Sequence, residues 1–315
     1  MIFLFFAVGL ILIVRGGDRF VDAASWMAAA SGIPPFIIGA TVVSVATTLP
    51  EIIVSVMAAT SGQADMAAGN AIGSVTANTS LILALSIIFL PGKIDRIRCL
   101  PKTLLLLAGI VTLWAMGLSG ALTPLGSMGL FLLFVVFIAE NIHSAKIERR
   151  SDTDSMVIAD RKTAVKNILL FLLGAGEIII GSRLLVDNGT LIAQDILHID
   201  ERIVSLTMVA VGTSLPELVT AIGAIVKRRA AITVGNILGA NIIDIILILP
   251  LCALAQGGTL AVSSSTLWVD LPFCLLAAII TLVPTIIRRR FSRVQGIVML
   301  SLYIAYIVLL FVKGL

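Results

Sequence analysis

The sequence predicts an all-α integral membrane protein: ten transmembrane helices forming two inverted-topology five-helix repeats, with broken helices at the midplane. Three observations lead there. Hydrophobic residues are 59% of the 315 and charged residues 13%, a balance outside the range of soluble domains. Apolar runs of about 20 residues, enough to cross ~30 Å of hydrocarbon, recur along the chain. A seven-residue stretch also occurs twice, as Val45–Glu51 (VATTLPE) and Val211–Glu217 (VGTSLPE). Each copy sets a proline and a carboxylate inside an apolar run. Pro50 and Pro216 carry no N–H, so the carbonyls of Ala46 and Gly212 lose their helical donor. A charge near the bilayer centre costs about 2.5–3.5 kcal/mol on insertion scales. Matched carboxylates at that depth imply a bound cation.

The spans are expected near 2–24, 34–60, 66–90, 101–119, 123–141, 165–190, 202–226, 231–255, 267–287 and 294–312. Turn signals separate them, among them Gly32-Ile-Pro34-Pro35, Ser61-Gly62-Gln63, Pro91-Gly92 and Gln256-Gly257-Gly258. The first run has no basic residue before it and no small-residue cleavage site after it, so it reads as a retained span. It carries Arg15, Asp18, Arg19 and Asp22, whose i, i+3 spacing suits pairing along one face as a snorkelling boundary. Residues 142–163 form a polar linker of mixed charge, too short for a folded domain. His143 and His198 are expected at the surface. Cys99, Cys252 and Cys274 have no metal-like spacing and suggest no disulfide frame.

Orientation follows from the basic residues. Lys93, Arg96, Arg98 and Lys102 follow span three, and Lys146, Arg149, Arg150, Arg161, Lys162 and Lys166 follow span five. Lys227, Arg228 and Arg229 follow span seven; Arg288, Arg289, Arg290 and Arg293 follow span nine. These are 17 of the 22 Lys and Arg, all in loops on one side, while the opposite loops and termini hold Arg202 and Lys313. The positive-inside rule makes the crowded side cytoplasmic and both termini external, in a plasma membrane of the bacterial inner-membrane type. The net charge of +4 is thereby explained without nucleic acid.

At a shift of 166 residues Glu51 matches Glu217, Asn70 matches Asn236 and Asn78 matches Asp244, with 19 residues from Glu to Asn in each copy. Upstream, Ile38–Val43 aligns with Val204–Val209. Five spans per half is odd, so the second half enters the membrane inverted, the architecture of secondary transporters with a binding site near the midplane. The second motif is Gly69–Asn78 (GNAIGSVTAN), echoed by Gly235–Asp244 (GNILGANIID). On a helix Asn70, Ser74 and Asn78 share a face, as do Asn236, Ala240 and Asp244. Glycines four apart let helices approach closely. Packing alone accounts for these small residues but not for three carboxylates.

Thr47 and Glu51, like Thr213 and Glu217, are four apart, so hydroxyl and carboxylate should project together. If the broken helices cross, Glu51, Glu217, Asp244 and Asn78 converge with Thr47 and Thr213, and freed carbonyls of Ser44 and Ala210 complete an all-oxygen cage. Thr48 and Ser214 add hydroxyls beside them. Ca²⁺ takes six to eight oxygen ligands, and the absence of His and Cys from the motifs disfavours zinc or copper. Na⁺ asks for a similar, less charged shell.

The paired motifs resemble the α-repeats of the calcium/cation antiporter superfamily, most closely its prokaryotic sodium/calcium exchangers, over nearly the whole chain. The resemblance implies ten transmembrane helices in two inverted halves and export of Ca²⁺ against several Na⁺. Residues 1–141 and 164–315 would be the two exchanger membrane repeats, joined by a cytoplasmic linker at 142–163. Carried over by motif position, Glu51 and Glu217 are the central Ca²⁺ ligands with Thr47 and Thr213, flanked by Asn78 and Asp244. Ser74 and the carbonyls of Ser44 and Ala210 serve Na⁺. The chain departs from the family pattern at Ala240, where serine is usual, and at Ala46-Thr47-Thr48, where Gly-Thr-Ser is usual. The first departure bears on the number of coupled Na⁺. The large calcium-sensing insertion of animal exchangers is absent from this sequence.

Coupling follows from charge. A site with several carboxylates cannot cross a dry barrier uncompensated, whereas one loaded with Ca²⁺ or several Na⁺ can, and shared oxygens forbid joint occupancy. Spans one and six are expected to slide or rock against the rest. The alternative within transport is H⁺-coupled exchange of Ca²⁺ or another divalent cation. Members of that type carry glutamate at the fifth position of the Gly-Asn motif, where this chain has Gly73 and Gly239. An intramembrane aspartyl protease would need two poised aspartates, and in a pure scaffold Glu51→Gln and Glu217→Gln would change folding but no cation flux. Neither a catalytic residue, nor a cofactor, nor an obligate protein partner is expected; the bilayer is the partner.

Overall fold

The computed structural model describes residues 2–151, 161–192 and 214–313. The structure is helical apart from one short strand pair. Helix α1 spans Ile2–Ser31. Pro34 and Pro35 then open α2 (Pro35–Thr47), which meets α3 (Leu49–Thr60) at a bend of 45°. Next come α4 (Ala64–Phe89), α5 (Arg96–Gly117), α6 (Pro124–Ser151) and α7 (Arg161–Leu191). The last four are α8 (Leu215–Val226), α9 (Ala230–Ala255), α10 (Thr266–Arg288) and α11 (Arg293–Lys313). Seven of these helices are long and apolar enough to cross a membrane, or eight if the bent α2–α3 pair is one span. The chain is a multi-pass integral membrane protein. The first half of the expected seventh span, residues 202–213, lies outside the described residues, as does His198; His143 is exposed.

Burial sorts the helices by position. The α4 and α9 windows are 72% and 83% buried, whereas those of α6, α7 and α11 are only 22–28% buried. The two helices that carry the Gly-Asn motifs are thus central. Exposed Leu125, Leu132, Ile180 and Val294 on the outer helices present the apolar surface that lipid requires.

Two small backbone pairings fix the direction of matched helices. Strand β1 (Ala121–Leu122) pairs antiparallel with β2 (Leu260–Ala261) at one end of the molecule. Lys93 and Arg290 form a bridge at the other, where Ile94 N–H donates to Arg289 O and Phe291 N–H to Gly92 O, at 3.0 and 2.9 Å. Helix α5 runs from the Lys93 end to β1, and α10 from β2 to the Arg290 end. These two helices, equivalent under the 166-residue shift, therefore run in opposite directions. The bridge also puts two of the basic loops side by side.

Close backbone approaches hold the interior. A Cβ at Gly235 in α9 would collide with the Phe36 carbonyl of α2, and one at Gly39 with the Ile232 carbonyl. Helices α1 and α7 make a second such crossing, antiparallel. A Cβ at Gly174 would come within 2.8 Å of Gly16 O, and the Phe20 and Phe171 rings stack at 4.4 Å.

Three expectations about charge and chain path change. Asp18, Arg19 and Asp22 do not pair along their own helix: Arg19 pairs with Glu177 of α7, and Lys227 reaches Asp18 and Asp22 at 3.2 and 2.9 Å. The neighbouring helices bring those partners closer than the i+3 positions do. Lys102, expected in a loop, is fully buried in α5, its Nζ 2.6 Å from Glu140 Oε2 and 5.4 Å from the centre of the Phe36 ring. Residues 142–151 of the expected linker continue α6.

Candidate functional site

The site is built around two matched helix breaks. Thr48 ends α2 with φ −83°, ψ −3°, and Ser214 precedes α8 with φ −86°, ψ 6°. Each is followed by Leu-Pro-Glu in the first turn of a new helix, where proline needs no donor of its own. Glu51 and Glu217 thereby stand at helix N-termini, where the helix dipole favours a carboxylate. A second pair of matched distortions faces them. Asn78 opens a wide π-helical stretch, Asn78–Leu83, within α4, and Asp244 opens another, Asp244–Ile248, within α9. Such bulges inside α-helices recur at functional sites. Helix α3, which carries Glu51, packs against the Asp244 turn, and α8, which carries Glu217, packs against the Asn78 turn.

Glu51, Glu217, Asp244, Asn78, Thr47, Thr48, Ser74, Ser214 and Ser44 are all buried, none more than 3% exposed. Glu51 interacts electrostatically with both Glu217 and Asp244. The hydroxyl of Thr48 donates to Glu217 Oε1 at 3.5 Å, a long contact that links the two halves. Both carboxylate oxygens of Glu51 and of Asp244 have no hydrogen-bond partner among the described residues. The same holds for Glu217 Oε2, Asn78 Oδ1, Ser74 Oγ and Ser214 Oγ. Buried polar atoms are almost always paired, and lone acceptors gathered in two repeated motifs are chemically suited to a positive ligand. Among the described residues no three His, Cys, Asp or Glu side chains close around one point as metal ligands. The buried oxygens of the two motifs belong to carboxylates, hydroxyls and amides.

Two expected donors behave differently. The Ser44 carbonyl is not freed by the break: it accepts Thr48 N–H at 2.9 Å and the Thr47 hydroxyl at 3.3 Å. Thr47 does not share a continuous helical face with Glu51, because the bend at Thr48 intervenes, and its single hydroxyl proton is shared between the Ser44 carbonyl and Asn236 Oδ1, the latter at 3.2 Å. Thr213 and the Ala210 carbonyl lie outside the described residues. The structure adds two amides to the surroundings of the site. Asn236 holds Thr47, and Asn70 donates to Ser55 Oγ at 2.9 Å and to the Glu51 carbonyl at 3.5 Å. Their identical place in the two Gly-Asn motifs was the available signal. A third amide, Asn241, donates to Thr79 Oγ1 at 2.8 Å and ties α9 to α4.

Comparison with known proteins places the chain in a family. A family model described as "Sodium/calcium exchanger protein" matches residues 1–142 and 166–312. The inner membrane protein YrbG of Escherichia coli is 39% identical over 259 residues, covering 80% of this chain and 79% of its own. The sodium/calcium exchanger MaX1 of Methanosarcina acetivorans is 28% identical and is covered, like this chain, over 98%. Among solved structures, the sodium-calcium exchanger NCX_Mj soaked with Na⁺ and Sr²⁺ superposes with a TM-score of 0.84 at 28% identity, over 98% of this chain and 99% of that one. The chain belongs to the sodium/calcium exchanger protein family, on the prokaryotic side of the calcium/cation antiporter superfamily.

Proposed function

We propose that the protein is a secondary active antiporter that exchanges Ca²⁺ for Na⁺ by alternating access, through ten spans in two inverted five-helix repeats. The observation that carries this reading is the set of buried, partnerless carboxylate oxygens on Glu51, Glu217 and Asp244. Uncompensated buried charge is costly, and a hard divalent cation is the natural neutraliser of an oxygen set. Asn78, Thr47, Thr48 and Thr213 complete the Ca²⁺ shell. Ser74, Ser214 and the carbonyls of Ser44 and Ala210 serve Na⁺; at Ser44 the ion would displace the Thr47 hydroxyl from the carbonyl. The opposed directions of α5 and α10 support inverted repeats, as does the pairing of each Glu helix with the opposite repeat's π-turn. MaX1 and NCX_Mj, by their names, exchange sodium and calcium.

One Ca²⁺ carries the charge of two Na⁺, so at least two Na⁺ are needed to leave the buried carboxylates equally compensated, and the oxygens that the Ca²⁺ and Na⁺ positions have in common would forbid joint occupancy and so couple the two flows. Helices α1 and α7, zipped together through glycines, move as a unit against the motif helices to switch access. The basic loops lie in the cytoplasm and both termini outside.

The test is ⁴⁵Ca²⁺ uptake by reconstituted liposomes, with a Na⁺ gradient imposed at clamped pH and then a pH gradient without Na⁺. Uptake should follow the Na⁺ gradient and vanish in Glu51→Gln. Uptake that follows the pH gradient alone would replace Na⁺ by H⁺ as the counter-ion, a reading that Ala240 favours because it removes a neutral ligand. Equal uptake by wild type and Glu51→Gln would end the site assignment.

A further inference from the structure

Helices α4 and α9 meet twice through equivalent stretches, and the two meetings are chemically unlike. The regular part of α9, Ala230–Ile243, lies against the wide turn Asn78–Leu83 of α4. The regular part of α4, Ala64–Ala77, lies against the wide turn Asp244–Ile248 of α9. At the first meeting the Asn241 amide donates to Thr79 Oγ1 at 2.8 Å. The 166-residue shift carries Asn241 onto Val75 and Thr79 onto Ile245, and those two are apolar members of one core cluster. All four side chains are buried, none more than 2% exposed.

Packing alone gives no reason for an amide at 241. Asn241 Oδ1 has no partner among the described residues, and burying such an acceptor is costly. Valine fills the equivalent place in α4 without that cost. What the amide adds is a set separation, because a hydrogen bond holds its length while apolar contact is non-directional. The bond also lies beside the cage rather than in it. Thr79 directly follows Asn78 in the π-helical turn, and Asn241 stands three residues before Asp244, about one turn earlier on α9. It therefore ties the Asn78 turn to the stretch of α9 that leads into Asp244.

We propose that Asn241 is a specificity-determining positioning residue: through Thr79 it fixes the width of the cage between Asn78 and Asp244, and so favours Ca²⁺ over Mg²⁺. The inference rests on the reading of that cage as a divalent-cation site. Ca²⁺ lies about 2.3–2.6 Å from its oxygens and Mg²⁺ about 2.0–2.1 Å, so selection between them is a matter of cavity size and flexibility. Two helices pinned at a set separation resist closing on the smaller ion. Held by apolar contact alone, as at Val75 and Ile245, they would yield to it.

Isothermal titration of Ca²⁺ and of Mg²⁺ into the detergent-solubilised full-length protein tests this. Wild type should prefer Ca²⁺. Asn241→Val, which copies Val75, should lower the ratio of Ca²⁺ to Mg²⁺ affinity about 10-fold, the scale of an outer-shell partner at a metal site. Thr79→Val removes the same bond from the α4 side and should lower the ratio equally, and the two changes combined should lower it no further. Thr79→Ser keeps the hydroxyl and should keep the wild-type ratio. A residue that only held the helices together would lower thermal stability and leave the ratio of the folded fraction unchanged. The proposal is overturned if either valine variant that folds selects Ca²⁺ as wild type does, or if the two losses add. Wild type that binds no divalent cation would overturn the cage reading together with this one. Wild type that binds Ca²⁺, with the ratio unmoved in the variants, would overturn this inference alone.

Discussion

Glu51 is a carboxylate with two buried oxygens and no donor for either among the described residues, and Asp244 repeats the condition in the other half. Such a group is stable only when a cation or a proton is supplied. Glu51→Gln and Glu217→Gln keep the side-chain volume and remove the charge, so the helices should still assemble while Ca²⁺ affinity falls by at least about 100-fold, the upper end of what even an outer-shell partner is worth at a metal site. Isothermal titration of Ca²⁺ into detergent-solubilised protein measures this, and unchanged affinity would remove those residues from the cage. Asn236 acts one step further out, through its contact with the Thr47 hydroxyl. Asn236→Leu should weaken Ca²⁺ binding about 10-fold, and Asn236→Gln, which keeps an amide oxygen, should recover part of the loss. A purely structural role would instead lower thermal stability and leave the affinity of the folded fraction intact.

Among the elements, the crossing of α2 with α9 and the buried Lys102 carry the sharpest consequences. Gly235 has no room for a Cβ because the Phe36 carbonyl occupies the space. Gly235→Val must therefore push two backbones apart, and overpacking of that kind costs about 1–3 kcal/mol even where side chains can yield. Size-exclusion chromatography should show aggregated protein or a sharp drop in yield. Lys102 is buried against Glu140 and over the Phe36 ring. Lys102→Met leaves Glu140 unpaired and should destabilise the fold by about 3 kcal/mol, whereas adding Glu140→Gln should restore most of it. Thermal unfolding in detergent compares the two; a single variant as stable as wild type would show that Glu140 finds water instead. The chain around Lys102 reads as a cytoplasmic loop, since three other basic residues precede it within ten positions. Its true partner is 38 residues away, a separation that no local pattern reveals. The same reason explains Asp18, Arg19 and Asp22, whose i, i+3 spacing suggests mutual pairing although α7 and Lys227 supply the partners.

For the whole molecule, the prediction is topological. Ser119, beside β1, and Arg290, at the bridge with Lys93, lie at opposite ends of the helical body and are both exposed. The three native cysteines are buried and should contribute little background to thiol labelling. A membrane-impermeant maleimide added to intact cells should label Ser119→Cys and spare Arg290→Cys, with both labelled after the membrane is opened. The reverse pattern would invert the proposed orientation. The amino-acid sequence by itself determined where apolar runs are long enough to span, where proline must break a helix, and which residue types recur at matched spacing. All of these depend on chemistry confined to a few neighbouring residues or on the repeat itself. The tertiary structure alone decided which lone oxygens stay unpaired, that the Ser44 carbonyl is already engaged, and which charge meets which. Those outcomes depend on groups far apart in the chain that reach each other only when the two halves pack together.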